Sequence, residues 1–196
     1  MSEIQSKKKR FDPERRRSAI LDAAEKLFAK NGYEGTSTNE IAKSADVAVG
    51  TIFKHFGDKP TLLAALHRRL EDEFIEAMTK AWESQSDYHA KFDKMFRALF
   101  KVAERKRDVM PVYTMTKELS ANRDYWSGEI IVTRIQALYE GGVKEGKLAD
   151  HQTDLIAHMM HGMVDGAMRY WMNNPTPKQK GNAIRALVEV SKRAFL

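Results

Sequence analysis

Apolar positions recur along this chain at the three-to-four-residue spacing of helices. They run from Ile20, Leu21, Ala24, Leu27 and Phe28 near one end to Ile184, Leu187, Val188 and Phe195 near the other. No window alternates apolar and polar residues as a half-buried strand would, so the expected class is all-α. The first stripe closes at Asn31-Gly32, where glycine can take the positive φ of a helix end. A second short helix turns Ile41, Ala42 and Ala45 inward. Ser37 or Thr38 can cap it, and Glu40 lies three residues after Ser37, as a capping box requires. A third short helix spans Val49–Phe56, and Asp58 can cap a fourth whose first turn accommodates Pro60. Longer amphipathic segments follow at 62–81, 88–105, 126–145 and 154–172. Interruptions are expected at Ser84-Gln85-Ser86, at Val109-Met110-Pro111 and at Gly141-Gly142 with Gly146, and NNPTPK (173–178) precedes the last helix. The pattern divides the chain into a basic arm (1–12), a three-helix domain (13–57) and a larger helical body (58–196).

Charge sharpens this picture. The formal net charge is +6, and residues 1–17 alone hold seven Lys/Arg against three acidic residues. Such an arm is either a solvated tail or a segment that follows phosphates or enters a minor groove. Cysteine is absent, which excludes a disulfide framework, a thiolate metal site and a thiol nucleophile. MSEIQSKKKR leads into no apolar h-region, and no later stretch stays apolar for the ~20 residues of a membrane span. A soluble cytoplasmic protein is expected.

The stretch VAVGTIFKHF (47–56) carries the densest chemistry. With Ile52 and Phe56 inward, Val49, Gly50, Thr51, Lys54 and His55 face outward or sideways. Joined by a short turn to the helix of Ile41, Ala42 and Ala45, this is helix-turn-helix spacing. Gly50 costs a helix about 1 kcal/mol relative to alanine, which close approach to a DNA groove would offset. Thr51 and His55 can donate to phosphate, Lys54 can reach phosphate or a guanine edge, and Val49 suits a thymine methyl. Lys59 would add its charge to the positive end of the fourth helix. The competing reading is a small helical subdomain with surface Lys and His.

The segment 20–66, ILDAAEKLFAKNGYEGTSTNEIAKSADVAVGTIFKHFGDKPTLLAAL, resembles the N-terminal DNA-binding region of the tetracycline-repressor (TetR) family. Ala24, Leu27, Phe28, Gly32, Thr36, Ile41, Ala42, Val47, Gly50, His55, Phe56, Lys59 and Leu62 carry that family's recurring pattern in order and spacing. A weaker echo, EGGVKEGKLADHQTDLIAHMMHGMVDGAM, resembles its passage into the penultimate helix. The resemblance implies that Ser37 and Thr38 donate to phosphate and that Asn39 reaches a base edge. It further implies that Val49, Gly50, Thr51 and Lys54 meet bases and nearby phosphates, and that His55 and Lys59 hold phosphates. Three positions depart from the pattern. Asp46 stands at a turn position commonly glycine, Ala48 replaces the usual serine cap, and Phe53 replaces a tyrosine that often contacts phosphate.

For the body the resemblance implies a small-molecule pocket. Phe92, Phe96, Met110, Tyr113, Trp126, Ile130, His161 and Asp165 are the candidate lining, although plain core packing explains any one of them as well. Asp154, His158, His161 and Asp165 share a helix face, but all four along ~16 Å of helix cannot hold one ion, and no HExxH is present. No metal and no cofactor are expected. Small residues Gly162, Gly166 and Ala167, with the stripe of the last helix, suit a homodimer built as a four-helix bundle from the last two helices. The leading expectation is a repressor released from a pseudo-palindromic DNA operator by a small-molecule effector. The alternatives are a dimeric DNA-binding protein without a ligand, and a metal-dependent enzyme using the His158/His161 face.

Overall fold

The computed structural model describes residues 12–115 and 128–196. Nine helices are present among them, with no strand: α1 Pro13–Asn31, α2 Thr38–Ser44, α3 Val49–Phe56, α4 Lys59–Glu83, α5 Tyr88–Arg105, α6 Met110–Met115, α7 Glu129–Lys144, α8 Thr153–Asn173 and α9 Pro177–Phe195. None is long and apolar enough to cross a membrane. The described residues within Met1–Arg68 and Asp108–Trp126 form one compact unit, and those within Arg69–Arg107 and Ser127–Leu196 form another.

In the first unit the capping chemistry follows the sequence closely. Asp12 accepts the Glu14 amide at 3.0 Å and Pro13 opens α1, where its missing N–H is no loss. Gly32, at φ 74°, ends α1 by donating its N–H to the Phe28 carbonyl at 2.9 Å. The buried Thr36 hydroxyl lies 2.8 Å from the Gly32 carbonyl and 3.2 Å from that of Leu27, tying the loop to the helix it leaves. Ile20, Leu21, Ala24 and Phe28 of α1, Ile41 and Ala42 of α2 and Ile52 and Phe56 of α3 are buried. Burying each large aliphatic or aromatic side chain is worth about 1.5–3 kcal/mol. This core is what gives such short helices a fixed geometry.

The second unit is built around one apolar cluster. Trp82, Phe92, Phe96, Phe100, Tyr139, Trp171 and Phe195 are among its members. Phe92 packs edge-on against Trp82 at 5.3 Å, and Phe195 does the same against Tyr139 at 5.7 Å. Helix α9 packs against α5 and α8, and α7 packs along α8. Outside the core, Glu73 pairs with Arg105 at 2.7 Å and Lys106 at 2.9 Å, which together hold its carboxyl below the usual range despite burial.

Two expected interruptions are present but narrower than expected: residues 106–109 are a turn while Met110 and Pro111 are already helical, and the break after the Gly141-Gly142 pair begins only at Glu145. Val109-Met110-Pro111 leads into the short helix α6, whose first turn accepts Pro111 as Pro60 is accepted in α4. Helix α7 continues through Gly141-Gly142 to Lys144, and the positive φ of 66° falls at Gly146. Gly142 is there for packing. A Cβ on it would come within 2.5 Å of Leu148 Cδ1 and 2.8 Å of Tyr88 Cε1.

Candidate nucleic-acid interface

Helix α2 begins with a complete capping box. The Glu40 amide donates to Ser37 Oγ at 3.2 Å, while the Ser37 amide and hydroxyl both donate to Glu40 Oε2, at 2.8 and 2.7 Å. Those two bonds hold the Glu40 carboxyl below its ordinary range. Ser37, for which the family resemblance implies a phosphate bond, therefore has its hydroxyl engaged in the cap. Thr38 is half-buried at the first helical position and Asn39 is exposed.

The turn between α2 and α3 is short and tightly bonded. The Ala45 amide donates to Ile41 O at 2.9 Å and the Val47 amide to Ala42 O at 3.0 Å. Asp46 occupies φ 53°, a left-handed conformation that a non-glycine residue adopts at some cost. Ala48 stands at the N-cap of α3 without a side-chain bond, so an amide there lacks the acceptor a serine would bring.

Helix α3 has two distinct faces. Ile52 and Phe56 are buried, i and i+4 on one side. Lys54 and Gly50 are exposed, Phe53 is 50% exposed, and Val49, Thr51 and His55 are partly so. A Cβ on Gly50 would meet nothing within 4 Å, so that stretch of helix surface is open to another molecule. The Arg17 guanidinium lies 5.4 Å from the centre of the Phe56 ring. After Gly57 ends the helix at φ 78°, Asp58 Oδ1 accepts the Thr61 amide at 2.7 Å and caps α4. Lys59, the first residue of α4, has its ammonium 4.1 Å from the centre of the Tyr33 ring. Thus Thr38, Asn39, Val49, Gly50, Thr51, Phe53, Lys54, His55 and Lys59 all lie on the unit that contains the helix-turn-helix. Tyr33 and Arg17 are absent from the sequence-derived set. Both make cation–aromatic contacts between different helices or loops, which periodicity within one helix does not reveal.

Residues 20–66 match the family model described as bacterial regulatory proteins, tetR family. The match falls on α1, α2, α3 and the start of α4. The chain is 28% identical to a crystal structure from Shewanella sp. PV-4 described as a tetR family transcription regulator. That likeness covers 92% of this chain and 97% of that one, with a TM-score of 0.71. The helix-turn-helix region, residues 20–66, is of the tetR family of bacterial regulatory proteins.

A chain carrying this region is a DNA-binding transcriptional regulator. It is also 23% identical over 188 residues to the HTH-type transcriptional activator FasR of Mycolicibacterium smegmatis, covering 92% of this chain and 83% of that relative. In fold it matches FadR of Bacillus subtilis, solved in complex with stearoyl-CoA, at a TM-score of 0.74 and 22% identity, covering 88% and 96% of the two chains.

The body candidates of the regulator are placed variously. Phe92 and Phe96 are fully buried in the apolar cluster of the second unit. Ile130 is exposed on the first turn of α7. His161 of α8 rests against Gly128, where a Cβ would come within 2.9 Å of its Cε1. Asp165 is exposed and pairs with Arg169 at 2.7 Å. Met110 and Tyr113 belong to the first unit, where the buried Tyr113 ring meets His67 at 4.9 Å. Trp126 and residues 1–11 of the arm lie outside the described residues. His158 Nδ1 is 2.8 Å from the Asp154 carbonyl, and no group of three or more potential ligands among the described residues is arranged to hold a metal ion.

Proposed function

We propose that this regulator acts as a homodimeric repressor, released from a pseudo-palindromic operator by an elongated apolar effector of the fatty-acyl class. The observation that carries the DNA reading is α3. It buries Ile52 and Phe56 and leaves Val49, Gly50, Thr51, Phe53, Lys54 and His55 accessible on a glycine-thinned surface. In this reading Lys54 reaches a base edge, Thr38, Thr51 and His55 donate to phosphates, and Lys59 holds a phosphate at the start of α4.

Dimerisation is assigned to α8 and α9. Leu155, Met159 and Tyr170 of α8 and Val190 of α9 are large apolar side chains exposed in the single chain. Tyr170 and Val190 also line an open groove of about 430 Å³, together with Met163, Ala167, Ala186 and Leu187. Gly162 and Gly166 present open space where a partner helix could approach. The effector class is supported by the acyl-CoA bound to the B. subtilis structure of like fold and by the aromatic character of the second unit's core. Phe92, Phe96, Ile130 and His161 are the residues we assign to it.

The test begins with selection of bound sequences from random duplex DNA by the full-length protein. Lys54→Ala should then weaken the best site by about 1–3 kcal/mol and flatten discrimination among sites. Unchanged affinity and discrimination would remove Lys54 from the interface. A second reading, activation, is favoured by the relative named as an activator. Transcription in vitro from the selected site separates the two by the sign of its response.

A further inference from the structure

Tyr33, in the turn after α1, and Lys59, at the start of α4, are brought together although the helix-turn-helix pattern does not link them. Tyr33 follows Gly32 at the end of α1, and Lys59 opens α4. The Tyr33 ring is partly buried and packs at 5.3 Å, tilted by 55°, against Phe28, which is fully buried. The ring is thereby anchored to the core of the first unit. Its centre lies 4.1 Å from Lys59 Nζ, well within cation–π range. The backbone of Lys59 is fixed independently, because Asp58 accepts the Thr61 amide and sets the first turn of α4. Both ends of a flexible side chain are therefore held.

The chemistry of the holding group matters. A lysine ammonium has three N–H donors on a mobile four-carbon stem. A carboxylate partner would neutralise the charge and occupy donors. An aromatic ring restrains the ammonium and leaves its charge intact and its donors available to phosphate oxygens. Burial first, then the neighbouring Glu34 and Asp58 carboxylates, push the Tyr33 phenol above its ordinary range, so the ring stays neutral wherever DNA binding is measured.

We propose that Tyr33 is a positioning residue for DNA binding, whose ring presets the Lys59 ammonium for a backbone phosphate at the start of α4. This rests on the reading of Lys59 as a phosphate contact. Tyr33 itself needs no bond to DNA. Its hydroxyl is dispensable, and its ring is not.

The experiment uses full-length protein and the best duplex recovered from random-sequence selection, with affinity measured across a salt series. Lys59→Met should weaken binding and reduce the salt slope by about one unit per half-site. Tyr33→Phe should match the wild type. Tyr33→Leu, which keeps apolar bulk against Phe28, should weaken binding about two- to fivefold per half-site, and should cause no further loss when added to Lys59→Met. Tyr33→Met serves in its place if the leucine variant does not fold. In the DNA-free protein, the Lys59 ε-methylene protons should show an upfield ring-current shift by NMR, kept in Tyr33→Phe and lost in Tyr33→Leu. If Lys59→Met changes neither affinity nor salt slope, Lys59 is not a phosphate contact, and the proposal falls with that reading. If Lys59→Met weakens binding but Tyr33→Leu does not, or if the two losses add, Lys59 keeps its role and Tyr33 loses the one proposed. An unshifted Lys59 signal in the wild type also overturns the role of Tyr33.

Discussion

His67 occupies a fully buried position of α4, between Leu63, Leu66 and Leu70 on the same helix. Its ring meets Tyr113 edge-on at 4.9 Å, and burial lowers its pKa to about 4. The imidazole is therefore neutral in the folded protein near pH 7, whereas in the unfolded chain it titrates near its ordinary ~6.5. The unfolded state binds more protons between those two values, so stability falls as pH drops through that window. From pH 7 to pH 5 this one group should remove about 2 kcal/mol, at ~1.36 kcal/mol per pH unit of uncompensated protonation. Urea melts of the wild type and His67→Phe should diverge by that amount over the range, with the wild type losing more. Parallel losses would show that His67 does not set the acid sensitivity. In the sequence the flanking leucines mark this face of α4 as inward, but the Tyr113 contact comes from a residue 46 positions away. The same limit hid the Tyr33–Lys59 pair, whose members are partnered through tertiary structure. Lys54, His55, Ile52 and Phe56 were sorted correctly because a helix separates its faces by spacing alone.

The helices α1, α2 and α3 were legible because their signals are local: Ser37 and Glu40 form the capping box, Gly32 takes positive φ, and the buried residues repeat at i, i+4. Helix α6 was not legible, since Pro111 reads equally as a breaker or as a first-turn residue until the following turn is seen. The glycines of α7 misled for a related reason. Gly142 is small because Leu148 and Tyr88 crowd it, a demand made by tertiary packing. The departures at Asp46 and Ala48 are visible in both sequence and structure, and they leave α3 with an uncapped start. Ala48→Ser should supply the missing acceptor and stabilise α3 by about 1 kcal/mol. Hydrogen exchange at the first amides of α3 should slow accordingly. Exchange unchanged within error would mean that the serine does not cap.

The stripe of α9 illustrates what the whole molecule adds. Ile184, Leu187 and Phe195 are consumed by the core of their own chain, and Val188 packs against it. The outward apolar positions are Leu155, Met159, Tyr170 and Val190. A charge at Leu187 would therefore disrupt folding before assembly, whereas Val190→Glu should give a monomer with unchanged helix content. Light scattering at micromolar concentration checks this, and a persistent Val190→Glu dimer would exclude Val190 from the contact. Assembly in turn sets the terms for regulation. Two recognition helices reading successive major grooves must lie about 34 Å apart. An effector can release them only by favouring a conformation in which that spacing is lost, and only by as much as its affinity differs between the two states. Leu62, Leu63 and Leu66 of α4 are buried in the first unit, and Met78 and Trp82 of the same helix belong to the core of the second. Coupling of 1–3 kcal/mol gives about a 5–150-fold loss of DNA affinity. Linkage then requires the reverse effect at equal size. Calorimetric titration of an acyl-CoA into the protein, alone and saturated with its selected duplex, should yield an affinity lower by that same factor in the second case. Equal affinities would mean that acyl-CoA binding and DNA binding are uncoupled, and that the effector belongs to another chemical class.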